Sequence, residues 1–188
     1  MVTRKYLDFV VKSGRAVAFP VYKGSYERGN STNTPLTPRL RRDLIIQNSK
    51  DLGRTIDYLE TRKEFDKDKF GYYGVSWGGD KGTILVAVED RIKLAILISG
   101  SLSTRKELPP EINQINFLPH IKVPLLMING RHDHWAPVET NQNPMFRLLG
   151  TPDINKRHIV IDGGHRLPKS AIIKEILDWL DRYLGPVS

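Results

Sequence analysis

Short apolar, β-favouring runs recur along the chain with helix-patterned stretches between them. AVAFPVY (16–22), FGYYGV (70–75), LAILIS (94–99), PLLMIN (124–129) and HIVID (158–162) each predict a strand. Several are apolar almost throughout instead of alternating. A strand buried on both faces reads that way, so the expected sheet is parallel, with helices on each side. Ile45, Leu52, Ile56 and Leu59 share one face of a helix over about residues 38–61, while Asp43, Lys50 and Arg54 fall elsewhere. Near the C-terminus Ile173, Ile176, Leu177, Leu180 and Leu184 form a second stripe, introduced by Pro168 and closed by Gly185-Pro186. RKYLDFVVKS reads as a first helix, and residues 99–124, rich in Pro, Asn and charge, read as a long surface loop. The predicted fold class is α/β: a mostly parallel sheet of about five strands flanked by helices.

Composition narrows the picture. At 188 residues the length fits one domain, 1–188, large enough to bury a core without disulfides or metals. With 39% hydrophobic and 27% charged residues and no low-complexity tract, the chain is not patterned for disorder. It has no cysteine, which excludes a disulfide scaffold and a thiolate metal site. MVTRKYLDFVVKSG lacks the apolar core of a secretory signal, and no apolar run reaches membrane-spanning length, so the expectation is a cytoplasmic protein with no membrane partner. The net charge of +8 is spread along the chain and broken by acids, a pattern of solubility that predicts no nucleic-acid partner. Lys23, Arg28 and Arg131 are compatible with an anionic substrate and equally with plain solvation.

The candidate chemistry centres on FGYYGVSWGGDKG (70–82), where a strand pattern runs into Gly74-Val75-Ser76-Trp77-Gly78 and then into a helix-ready segment. A sharp strand-to-helix turn would force Ser76 into a strained conformation that pushes Oγ outward, with the flanking glycines allowing close approach. Gly-x-Ser-x-Gly alone arises by chance in roughly one chain in twenty of this length, so the serine needs partners to mean anything. A hydroxyl near neutral pH requires a base, and the base an orienting acid. GRHDHWAP after PLLMIN offers Asp133, and GGHRLP after HIVID offers His165, giving the chain order Ser, Asp, His. Asp162 is an alternative acid, although it lies only three residues before His165. His132 and His134 flank Asp133, but without a third ligand they read as surface or pocket-wall residues; His120 and His158 read as structural. Trp77 and Trp135 either border a pocket or pack in the core.

Through GVSWGG, LLMINGRHDHWAP and DGGH the chain resembles the α/β-hydrolase superfamily, in particular its esterase and dienelactone-hydrolase or prolyl-oligopeptidase-like branch. GRAVAFPVYKGSYER and LDWLDRYLGPV are also similar to a hydrolase-type domain of some bacterial multidomain proteins that carry Ser/Thr kinase modules. The resemblance spans essentially the whole chain. It implies Ser76 as nucleophile, His165 as general base and then acid, Asp133 as the carboxylate that fixes the imidazole, and the Trp77 amide as one oxyanion donor, with no metal or other cofactor and a small-molecule ester as substrate. The pattern departs from the family in one respect: no HGG-like loop supplies a second oxyanion donor, and strands that normally come first are missing, as in a truncated α/β-hydrolase core. Amides around Tyr22, Lys23 and Gly24 are candidate substitutes by location. An exposed sheet edge predicts a homo-oligomer; alternatively the chain is the C-terminal piece of a longer protein.

Overall fold

The computed structural model describes residues 6–29, 37–103 and 108–187. Its helices are α1 (Asp8–Lys12), α2 (Pro38–Glu60), α3 (Trp77–Leu85), α4 (Asn143–Leu148) and α5 (Lys169–Leu184), and its strands are β1 (Gly71–Val75), β2 (Leu94–Ile98), β3 (Leu125–Gly130) and β4 (Lys156–Ile161). The strands form one sheet in the order β1-β2-β3-β4, and every pair is parallel. Val75 pairs with Ile98, Ile98 with Ile128 and Ile128 with Ile159. That register brings all four carboxyl ends to one rim, where an open parallel sheet carries its chemistry.

The unbroken apolar runs of β2 and β3 have the predicted cause: every residue of both strands is buried. Alternation sorts them onto two faces. Ala95, Leu97, Leu125 and Met127 pack with Leu52 and Ile56 of α2, Leu85 of α3 and Met145 of α4. Leu94, Ile96, Ile98, Leu126 and Ile128 pack on the other face with Phe9 and Val10 of α1 and Ile172, Ile176, Trp179 and Leu180 of α5. Helix α2 begins where Thr37 Oγ1 accepts the Leu40 N–H at 3.2 Å, with Pro38 in the first turn. On α5 the buried stripe is Ile172, Ile176, Trp179 and Leu180, rotated slightly from the predicted one; Ile173, Leu177 and Leu184 flank it, partly buried.

Two expectations change. Residues 16–22 form no strand, so the sheet has four strands among the described residues where about five were expected. A groove is lined both by 16–20 and by Gly71, Tyr72, Tyr73, Gly74 and Val75 of β1. No ladder closes between the two segments, and Pro20 has no N–H to offer one. The second change concerns the predicted surface loop. Its described part contains three single 3₁₀ turns, at Pro110–Ile112, Gln114–Asn116 and Leu118–His120, and it buries Ile112, Gln114, Leu118 and Ile121. Four spaced residues in a Pro- and Asn-rich segment are too sparse to show as periodicity. Residues 4, 5 and 104–107 of the predicted first helix and loop lie outside the described residues. Among the described residues no helix is long and apolar enough to cross a membrane.

Leu97, wholly buried on β2, tests this packing. Leu97→Ala should lower the unfolding free energy in a denaturant titration by about 2–5 kcal/mol; a loss below about 1 kcal/mol would contradict a close-packed position there.

Candidate active site

Ser76 occupies the hinge between β1 and α3, with φ 55° and ψ −119°. Positive φ is costly for a residue with a Cβ, on the order of 1–3 kcal/mol. The turn is held because the Ser76 N–H donates to the Ile98 carbonyl at 2.8 Å, continuing the β1–β2 ladder one residue past the strand, while the Asp80 N–H closes the first helical bond onto the Ser76 carbonyl at 3.0 Å. Of the two bracketing glycines only Gly74 is sterically required. A Cβ there would overlap the Gly78 carbonyl and stand 2.8 Å from Tyr72 Cε1, whereas a Cβ on Gly78 would meet nothing. The Tyr72 hydroxyl donates to that same Gly78 carbonyl at 2.8 Å, tying the helix start to the strand.

The rim brings the three separated residues together. Ser76 Oγ lies 2.7 Å from His165 Nε2, and His165 Nδ1 lies 2.7 Å from Asp133 Oδ2. Asp133 is 1% exposed, and its other oxygen accepts the Trp135 N–H at 3.0 Å. An ionised carboxylate only accepts, so Nδ1 must carry the proton. The Nε2 lone pair then faces the serine hydroxyl, the arrangement needed for proton abstraction. Trp135, 70% exposed, stands beside the imidazole with ring centroids 4.9 Å apart, and Trp77 is 49% exposed. Both border the site instead of filling the core.

The alternatives separate cleanly. Asp162 is exposed and pairs with His132 at 2.8 Å, away from His165. His134 is exposed beside Trp135. His158 packs on Phe146, where burial pulls its pKa down. The first N–H groups of a helix have no intrahelical acceptor, so the Trp77 amide at the start of α3 is available to an oxyanion. Two of the proposed substitute donors are not: the Lys23 N–H donates to Asp51 at 2.9 Å and the Gly24 N–H to the Arg28 carbonyl at 3.0 Å.

Two residues beneath the site were missed. Ser99, at the end of β2 with φ 49°, donates its hydroxyl to the His165 carbonyl at 2.8 Å and so anchors the histidine loop. A second strand-end serine before a glycine was the available signal. Asp80, on α3, is partly buried, and its carboxylate accepts the Ser101 N–H at 2.7 Å. Burial pushes its pKa up to about 6, the Asp133 charge adding to the rise and the Ser101 hydrogen bond and His165 opposing it.

The molecule has the α/β-hydrolase fold. TT1662 from Thermus thermophilus superposes with a TM-score of 0.70 at 19% identity, covering 87% of this chain and 74% of that one. A cold-adapted esterase from an Arctic intertidal metagenomic library superposes at 0.65 with 22% identity, covering 87% and 67%. Cutinase 2 of Thermobifida cellulosilytica is 26% identical over 163 residues, which make up 81% of this chain and 55% of that protein. The chain thus spans about half the length of the curated relatives it matches. No family model matches it.

Because Asp80 binds its proton more tightly folded than unfolded, its ionisation opposes folding. That penalty is absent below about pH 4 and complete above about pH 6. Asp80→Asn should therefore gain stability relative to the parent as pH rises from 4 to 7, by up to about 3 kcal/mol in denaturant unfolding. A difference independent of pH would contradict this.

Proposed function

We propose that the protein is a serine carboxylic ester hydrolase acting on short-chain or small aryl esters. The observation that carries the proposal is the pair of 2.7 Å hydrogen bonds joining Ser76, His165 and Asp133 at the sheet's carboxyl rim. His165 takes the serine proton as Oγ attacks the ester carbonyl, and Asp133 stabilises the imidazolium. The Trp77 amide faces the developing oxyanion. His165 then protonates the departing alkoxide, leaving an acyl-enzyme, and a water activated by the same imidazole releases the acid. A groove of about 1160 Å³ beside Ser76 and Trp77, walled by Val17, Phe19, Tyr22 and Leu52, supplies apolar room for the substrate.

One observation favours a slower enzyme or a catalytically weak interaction module. The Lys23 and Gly24 amides are committed elsewhere, which removes two of the three candidate second oxyanion donors and leaves Tyr22. The loss of a donor costs about 10²–10³ in kcat. Peptidase and thioesterase action use the same relay and differ in substrate. The expected self-association also finds support, since β1 and β4 end the sheet with no further strand beside either among the described residues.

A fluorophosphonate probe should label the protein stoichiometrically at Ser76, and Ser76→Ala should abolish both labelling and 4-nitrophenyl acetate hydrolysis. Equal hydrolysis by the two proteins would reject the assignment. An esters, thioesters and aminoacyl amides panel orders the substrate classes. Light scattering should give a dimer or larger mass; a monomer removes the association proposal.

A further inference from the structure

Lys81 lies one helical turn beyond Trp77 on α3 and is 8% exposed, an unusual place for an ammonium. Its Nζ sits 3.3 Å from the centroid of the Trp77 ring. With the Asn48 amide turned so that its oxygen faces the lysine, that oxygen accepts from Nζ at 2.6 Å and the amide nitrogen donates to the Lys23 carbonyl at 3.1 Å. Asn48 is itself fully buried, so this partner is fixed. An ammonium has three N–H groups. One goes to Asn48, one side rests on the indole face, and the third has no protein acceptor among the described residues.

The surroundings of the other cations make Lys81 stand out. Arg15, Arg62 and Lys69 line the same groove, and each has a carboxylate, from Asp181, Glu64 and Asp66 respectively. Arg28, just outside it, pairs with Asp51 at 2.9 Å. Lys81 has no such partner, and burial alone pulls its pKa down to about 8, which leaves it mostly charged at neutral pH. A buried charge without a counter-charge is expensive for the empty protein. An anion in the groove would remove that cost.

The groove also has a direction. It is lined by Ser76, Trp77 and Lys81 but not by His165. The alcohol of an ester must leave on the His165 side, because Nε2 gives it a proton. The groove is therefore on the acyl side of the scissile bond. Lys81 Nζ lies over the ring of Trp77, the residue after Ser76, so the indole side chain sets the anion apart from the reacting carbonyl and a short spacer must join the two.

Resting on the hydrolase reading above, we infer that the substrates are hemiesters of short dicarboxylic acids, with the free acyl-side carboxylate accepting the third N–H of Lys81 while the ester carbonyl meets Ser76. The chemistry balances as ester hydrolysis. Oγ bonds to the acyl carbon, the C–O bond to the alcohol breaks, the serine proton passes through His165 to the alcohol, and water then yields the dicarboxylate and restores the serine hydroxyl.

The test compares 4-nitrophenyl hemiglutarate with the equally long neutral 4-nitrophenyl pentanoate. The ratio of their kcat/KM values, taken within one protein, cancels any general loss of activity. It should favour the hemiester by about tenfold or more in the parent and fall to near unity in Lys81→Met, with Lys81→Arg retaining part of the preference. A parent ratio at or below one, or an equal ratio in Lys81→Met, overturns the inference. Binding is read separately by titrating the Ser76→Ala protein calorimetrically with monomethyl glutarate and with methyl pentanoate. Saturable binding of the anion alone without turnover by the parent would uphold the anion site and reject the esterase reading. Failure of the anion to bind more tightly than the neutral ester rejects the anion site, whatever the hydrolysis result.

Discussion

The in-register parallel pairing of four strands is the constraint on which the site depends. Residues 76, 133 and 165 are far apart along the chain, and no local interaction unites them. Pairing Val75 with Ile98 and Ile98 with Ile128 ends β1 and β2 level, and β3 and β4 run together two residues further, to Gly130 and Ile161. A slip of one residue would turn every buried side chain of β2 or β3 to the opposite face and separate the serine from its base. The two hydrophobic layers that enforce the register therefore also hold the hydrogen-bond distances at the rim. The sheet also resists strain at its rim: Ser76 and Ser99 both take positive φ, and both have their N–H fixed to a neighbouring strand, on Ile98 and Ile128.

Charge around the nucleophile is arranged in two opposed layers. Asp133, buried, and Asp80, partly buried, lie on the side of His165. Lys81, the next residue after Asp80, lies on the groove side with Trp77 and Asn48. Successive positions on a helix point about 100° apart, so adjacent acid and base serve different sides of one serine. Both carry a desolvation cost, which raises the pKa of one and lowers that of the other.

Much of this was legible in the sequence because it rests on local pattern. LAILIS and PLLMIN could be read as doubly buried strands since they are apolar almost throughout, and the nucleophile turn was visible in Gly74 and Ser76. Asp133 was preferred to Asp162 on chain position, and the structure gives the physical reason: Asp133 is enclosed against His165, whereas Asp162 is held outward by His132. The errors fell where structure depends on distant partners. AVAFPVY has strand-forming residues, but a strand exists only when another backbone completes its ladder, and β1 lines a groove with it without pairing. Asp80 and Lys81 carried no signal of their own in the sequence, because α3 packs against β1, β2 and α2, none of which their own neighbours announce. Nothing near Gly78 revealed that its Cβ position is open while that of Gly74 is closed.

The central claim is that a proton on His165 Nδ1 is held by Asp133 so that Nε2 can serve Ser76. Proton NMR of the histidine ring reads this directly. The account predicts a strongly downfield, exchange-protected imidazole N–H resonance that vanishes in His165→Ala and moves upfield in Asp133→Ala. Its absence from the folded parent protein, or its persistence unchanged in either variant, would contradict the account.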